Sequence, residues 1–148
     1  LRAERAGWLG RQGEFEVARS TLRELRATHD TASHPAVAAW ICLAEGLIEH
    51  HSHYAESARD RIRRAYALSS AARLRPLIAL SAAWVSHLDY LYGNLPGFAR
   101  HVAEALQESA DDHHAARSRA SLVVASAYHW CGRLESAQPW YQRARQHA

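Results

Sequence analysis

Eleven histidines, two cysteines and a dense run of arginines are the groups in this 148-residue chain whose types could do chemistry. The histidines invite a metal first: His50, His51 and His53 form one cluster, and His113 and His114 another. A zinc site needs three or four ligands converging at about 2.0 to 2.3 Å, usually with a cysteine or carboxylate among them. His50 and His53 are three residues apart and can share a helix face, with Glu49 or Glu56 in reach, but the chain has neither HExxH nor CxxC. The spacing therefore reads as polar residues at turns, and no metal or other cofactor is expected.

Nucleophilic catalysis needs a serine or cysteine activated by a base that a third group orients. The nearest approach to this is Cys131 with His129, and residues two apart on a helix point away from each other. There is no GxSxG and no glycine-rich phosphate loop. The chain reads as a non-enzyme.

The run Arg59, Asp60, Arg61, Ile62, Arg63, Arg64 is the densest basic stretch. A nucleic-acid surface would need such arginines on one face, interleaved with aromatic rings. On a helix Arg59 and Arg63 share a face and Arg61 does not, while Glu56 and Asp60 stand at pairing distance. That pattern is a solvated outer helix face, so nucleic acid is not the expected partner. All 18 basic residues are arginine, and with so much alanine the net charge of +3 reads as GC-rich bacterial composition rather than as selection for phosphate contacts.

These groups must be held by elements, and the elements repeat. Ala18, Ala58, Phe98 and Ala137 are separated by 40, 40 and 39 residues (58 − 18, 98 − 58, 137 − 98). Four residues after each comes Leu22, Ile62, Val102 or Tyr141, and three further on comes Leu25, Ala65, Ala105 or Ala144. That i, i+4, i+7 stripe is one face of a helix. Five residues before each anchor stand Gly13, His53, Gly93 and Gly132, a turn position, and seven before those stand the small residues Ala6, Gly46, Ser86 and Ala125. Each unit is therefore helix, turn, helix. Ser33 ahead of Pro35 and the pair Asp111 and Asp112 are expected to cap helices, Pro76 and Pro96 to sit in first turns, and Pro139 to distort the start of the last helix.

The frame resembles the tetratricopeptide repeat, most clearly in Ala125, Tyr128, Gly132, Ala137, Tyr141 and Ala144, and again in Gly13, Ala18, Leu22 and Leu25. The period of 39 to 40 residues exceeds the usual ~34, and the early tryptophan and leucine of the signature are mostly missing. Similar long-period repeats occur in bacterial regulators of the maltose-regulon activator type and in sensors linked to diguanylate cyclases. The resemblance implies an all-α fold, an α-α superhelix or solenoid of four antiparallel helix pairs. A single repeat domain is expected over 1–148, with units of approximately 1–31, 32–72, 73–110 and 111–148.

In that family the inner surface is made by the first helix of each pair. Carried onto this chain it comprises Arg11 beside Gly7 and Gly10 from the first unit, Trp40, His50 and His51 with Leu43 and Leu47 from the second, and His87 and Tyr90 from the third. The fourth gives Arg119, Ser126, His129 and Trp130. Aromatic and arginine side chains are frequent anchors of interfaces. The same spacing also suits inter-repeat core, and Trp40, Leu47 and Trp130 read as core first. Domains of this family that clamp chaperone carboxylates use lysine and asparagine here; this chain has no lysine and its only asparagine, Asn94, lies in a turn.

Hydrophobic residues at 48% and charged residues at 22% fit a folded domain rather than disorder. The longest apolar stretches, 36–43 and 77–85, fall well short of the ~20 residues needed to span a bilayer. Two cysteines suit a reducing compartment, and the chain is expected to be cytoplasmic. A start at Leu1 without methionine reads as a piece of something longer. The expected function is a protein- or peptide-binding scaffold, a regulatory or sensor module of a larger bacterial protein. Small-ligand sensing in the same groove is the alternative, with nucleic-acid binding third.

Overall fold

The computed structural model describes residues 2–31, 33–53 and 56–148, without the side chain of His53. Among them are eight α-helices and no strand: α1 (Arg2–Arg11), α2 (Phe15–Thr28), α3 (Pro35–His53), α4 (Glu56–Ala71), α5 (Arg75–Leu91), α6 (Leu95–Glu108), α7 (His114–Trp130) and α8 (Leu134–Gln146). They pack in neighbouring pairs, α1 with α2, α3 with α4, α5 with α6 and α7 with α8. The fold is all-α. Two compact units divide it, Leu1–Leu77 and Ile78–Ala148.

The second helix of each pair is amphipathic on the repeating stripe. Ala18, Leu22 and Leu25 are buried on α2, Ala58, Ile62 and Ala65 on α4, Val102 and Ala105 on α6, and Ala137 and Ala144 on α8. The small residues expected on the first helices, Ala6, Gly46, Ser86 and Ala125, are all buried. Gly46 shows why size matters. A Cβ there would lie 2.6 Å from Ile62 Cγ1 and 3.1 Å from the Ala58 carbonyl oxygen, so α4 crosses α3 at a distance only glycine permits.

All three expected turn glycines adopt the left-handed conformation, Gly13 at φ 88°, Gly93 at 74° and Gly132 at 72°. Each closes its helix with the same two bonds. At the first turn Gly13 N donates to Gly10 O and Glu14 N to Leu9 O; at the third, Gly93 N donates to Tyr90 O and Asn94 N to Asp89 O. A fourth copy ends α4, where Arg73 N donates to Ser70 O and Leu74 N to Ser69 O, with Arg73 itself at φ 54°. No glycine announces that turn. The connection from α3 to α4, where a turn was expected at His53, runs through residues outside the described set.

Helix starts agree with the proline readings and depart from the cap readings. Pro35 opens α3, Pro76 and Pro96 are second residues of α5 and α6, and the Asn94 side chain caps α6 by accepting from Gly97 N at 3.3 Å. Ser33 instead donates to Asp30, and Asp111 reaches Arg117 at 2.9 Å, so neither caps a helix. The N-cap of α7 is His113, which makes no side-chain cap bond. Pro139 lies inside α8, which nonetheless begins five residues earlier at Leu134; its position is exposed, where water can satisfy the carbonyl it leaves unpaired.

In the first unit α1 packs on α3 as well as on α2, and α2 packs on α3. The core there joins Ala3, Ala6, Leu22, Leu25, Ile41 and Ile48, with Leu9, Phe15, Val37 and Trp40 partly buried against it. Gly7 and Gly10 are consumed by this contact: a Cβ on Gly10 would fall 2.5 Å from Ile48 Cγ1. They are buried, not on an open face. In the second unit α6 packs on α7 in addition to the pairs α5 with α6 and α7 with α8.

Candidate functional site

In the second unit the candidate residues gather round Trp84, a buried ring of α5 at 3% exposure. The Arg119 guanidinium of α7 lies 3.7 Å from the Trp84 ring centroid, and the His87 ring stands perpendicular to Trp84 at 5.9 Å. A guanidinium over an indole face is attracted by the ring quadrupole, and the more so as water is excluded. Arg119 therefore fastens α7 to α5. Trp84 was not foreseen, although its spacing of three residues from His87 was a helical-face signal.

Farther along α5, Tyr90 is half-buried and tilted against Phe98 at 5.8 Å. Burial first, then the nearby Cys131 thiol, pushes the Tyr90 hydroxyl above its ordinary value. His129 is exposed, with its ring against Trp130 at 6.1 Å and Tyr141 at 6.2 Å. Trp130 is 78% exposed. The core reading of that residue does not hold, because it ends α7 at the hairpin tip, where the equivalent Leu91 of α5 is exposed too. Ser126 donates to its own helix, at Leu122 O, 2.9 Å away.

In the first unit Trp40 packs half-buried on the core, and Leu47 is buried. His50 is 6% exposed, with its ring T-shaped against the half-buried His51 at 5.2 Å. Arg11 is exposed at the end of α1, its guanidinium 4.8 Å from the ring of Trp8. The structure thus groups His87 with Arg119, Tyr90 with the Cys131 region, and His50 with His51; Arg11 and Ser126 are engaged locally. Among the described residues no three histidine, cysteine, aspartate or glutamate side chains are placed to hold a metal ion, and the His53 side chain lies outside that set.

Two features escaped the sequence. Asp89, fully buried on α5, accepts from His101 Nδ1 at 2.7 Å and from Asn94 Nδ2 at 3.0 Å, tying α5 to α6 and to its cap. The other is a cleft of about 490 Å³ in the first unit, walled by Arg26 of α2 and by Asp60, Arg61 and Arg64 of α4, with Ala38, Ile41 and Cys42 of α3 on its floor. Glu45 accepts from Arg26 Nε at 2.9 Å and Nη2 at 2.8 Å, and from Arg61 Nη1 at 2.7 Å. Arg61 Nε lies 2.7 Å from Glu49 Oε1, near enough for an ion pair but not aligned as a hydrogen bond. The Glu45 hydrogen bonds hold the Arg26 guanidinium above its ordinary value. Arg61 is thus turned onto α3 rather than spread on an outer face with its neighbours. Comparison with known proteins finds no matching family model, no matching curated protein and no matching solved structure.

Proposed function

We propose that the chain is a tetratricopeptide-like helical-repeat module that binds a protein or peptide segment on the faces of its first helices. The observation that carries this is the lateral contact of first helices within each unit. In one unit α1 lies on α3 through Gly7 and Gly10, and in the other α7 is held to α5 by Arg119 on Trp84. Helix pairs joined in this way build a shared face that a single pair lacks, and repetition with a constant rotation gives a superhelix. On this reading the module is cytoplasmic and non-enzymatic, the regulatory or sensor part of a larger bacterial protein.

His87, Tyr90, His129 and Trp130 supply aromatic surface to such a face, and aromatic anchors carry much of the energy of interfaces. Peptides selected on the immobilised chain provide the test. The variant Tyr90→Ala with His129→Ala should bind the selected peptide at least about tenfold more weakly, the loss of a single hot-spot contact, with helicity retained. Titrations belong at a temperature where both proteins are folded. Unchanged affinity in the variant, or selection of no peptide, would sink the reading.

A further inference from the structure

The cleft between α2, α3 and α4 has the size of a small-molecule site, which typically holds about 300 to 1,000 Å³. Its α3 lining, Ala38, Ile41 and Cys42, differs from the α3 residues Trp40, Leu43, Leu47, His50 and His51 assigned to the first-helix groove, so it is a second candidate site. Three arginines from two helices meet there over an apolar floor of Ala38, Ile41 and Cys42, with Leu68 in the wall. Glu45 clamps Arg26 and Arg61 in place, yet Arg26 Nη1 and Arg61 Nη2 take no part in those bonds. Arg64 makes no ion pair among the described residues. Glu49, the second partner of Arg61, lines a smaller neighbouring cleft rather than this one. The lining itself sets three guanidinium groups against one carboxylate, that of Asp60.

Clamped guanidiniums with donors left over are suited to carboxylate or phosphate, which they bind with charge-assisted bonds in a fixed fork. We propose that this cleft binds a small organic anion, its carboxylate or phosphate head on the arginines and an apolar body on the α3 floor. The thiol at the floor reports the same convergence: burial and Glu45 raise the Cys42 pKa, while Arg64, Arg26 and Arg61 all pull against that rise. Asp60 restricts the ligand further, since a second negative charge away from the head would meet its carboxylate.

The test uses the whole chain with phenyl phosphate, phenylacetate and, as the neutral counterpart, benzyl alcohol. Calorimetry should find saturable one-site binding of an anion and none of the alcohol, and the tighter anion names the head group. Arg64→Gln should weaken that binding by about tenfold or more, the scale of one charge-assisted bond, without changing the melting temperature of the unliganded protein. In a Cys131→Ser background, the bound anion should slow alkylation of Cys42 by iodoacetamide. Binding of neither anion, affinity indifferent to Arg64→Gln, equal binding of the alcohol, or an unprotected Cys42 would each overturn the proposal.

Discussion

Asp89, a fully buried carboxyl group, sets a demanding condition. A carboxylate withdrawn from water is tolerated only when its lone pairs are used, and here His101 and Asn94 use them. Gly97 completes the arrangement, because a Cβ there would stand 2.6 Å from Asp89 Oδ2. Asp89→Ala should therefore cost about 1 to 3 kcal/mol, since it leaves the buried His101 ring nitrogen without its acceptor. Urea denaturation measures this, and a loss below about 1 kcal/mol would mean the pair is solvated. Nothing in the sequence announced the pair. Residues twelve apart meet only because α5 and α6 fold back on one another, whereas the repeating stripe is local and legible.

Cys42 gives a pH dependence whose sign follows from its environment. Burial holds the thiol protonated beyond its ordinary value of 9.0. Below that pH both folded and unfolded chains carry the proton, and this group contributes no slope. Above it the unfolded chain binds fewer protons, so stability falls as pH rises. Tyr90, also raised, adds a slope of the same sign above its ordinary 10.0. Denaturation midpoints should decline above about pH 9, and Cys42→Ala should flatten the first part of that decline. An identical profile in the variant would remove Cys42 as its cause.

At the scale of elements, the crossing of α3 and α4 sets two effects against each other at Gly46. Alanine is favoured over glycine in a helix interior by about 1 kcal/mol. Its Cβ would meet the α4 backbone at the Ala58 oxygen and, at 3.2 Å, the Ile62 nitrogen, and backbone cannot rotate away. The clash wins, and Gly46→Ala should destabilise by about 1 to 3 kcal/mol in thermal or urea denaturation. A stabilised variant would show that the helices can part at little cost. Helix positions and buried stripes were legible because periodicity is a property of neighbouring residues. Caps were less so: Ser33 and Asp111 had side-chain partners, Asp30 and Arg117, that compete with the helix ends. The turn at Arg73 was hidden because a residue other than glycine occupies the left-handed position.

Across the whole molecule the arginines have more structural use than their number suggested. Some are tied to carboxylates, Arg2 to Glu24 and Arg26 and Arg61 to Glu45, while Arg11, Arg119 and Arg143 lie on the rings of Trp8, Trp84 and Trp140. A planar guanidinium can stack where a lysine ammonium cannot. The site was only partly legible because one of these ring contacts joins separate helices: Arg11 on Trp8 and Arg143 on Trp140 stay within a single helix, whereas Arg119, placed on a groove by spacing, proves to be fastening α7 to α5. Among the described residues no helix is long and apolar enough to cross a membrane. Circular dichroism in aqueous buffer should show a strongly helical chain without a sheet signal, and appreciable sheet would contradict the eight helices.

The turns that close α1, α5 and α7 also equip the chain with an internal ruler. Around Gly13, Gly93 and Gly132 an added Cβ would meet nothing within 4 Å, so alanine there is opposed by backbone geometry alone. Each replacement should register the same quantity, about 1 to 2 kcal/mol for an L-residue held left-handed, three times over in one molecule. Arg73 reads the scale backwards: Arg73→Gly should return a similar amount, less the entropy that glycine brings to the unfolded chain. Any spread among the three replacements then measures how unequally the chain is loaded along its length, a strain gauge already written into its own turns.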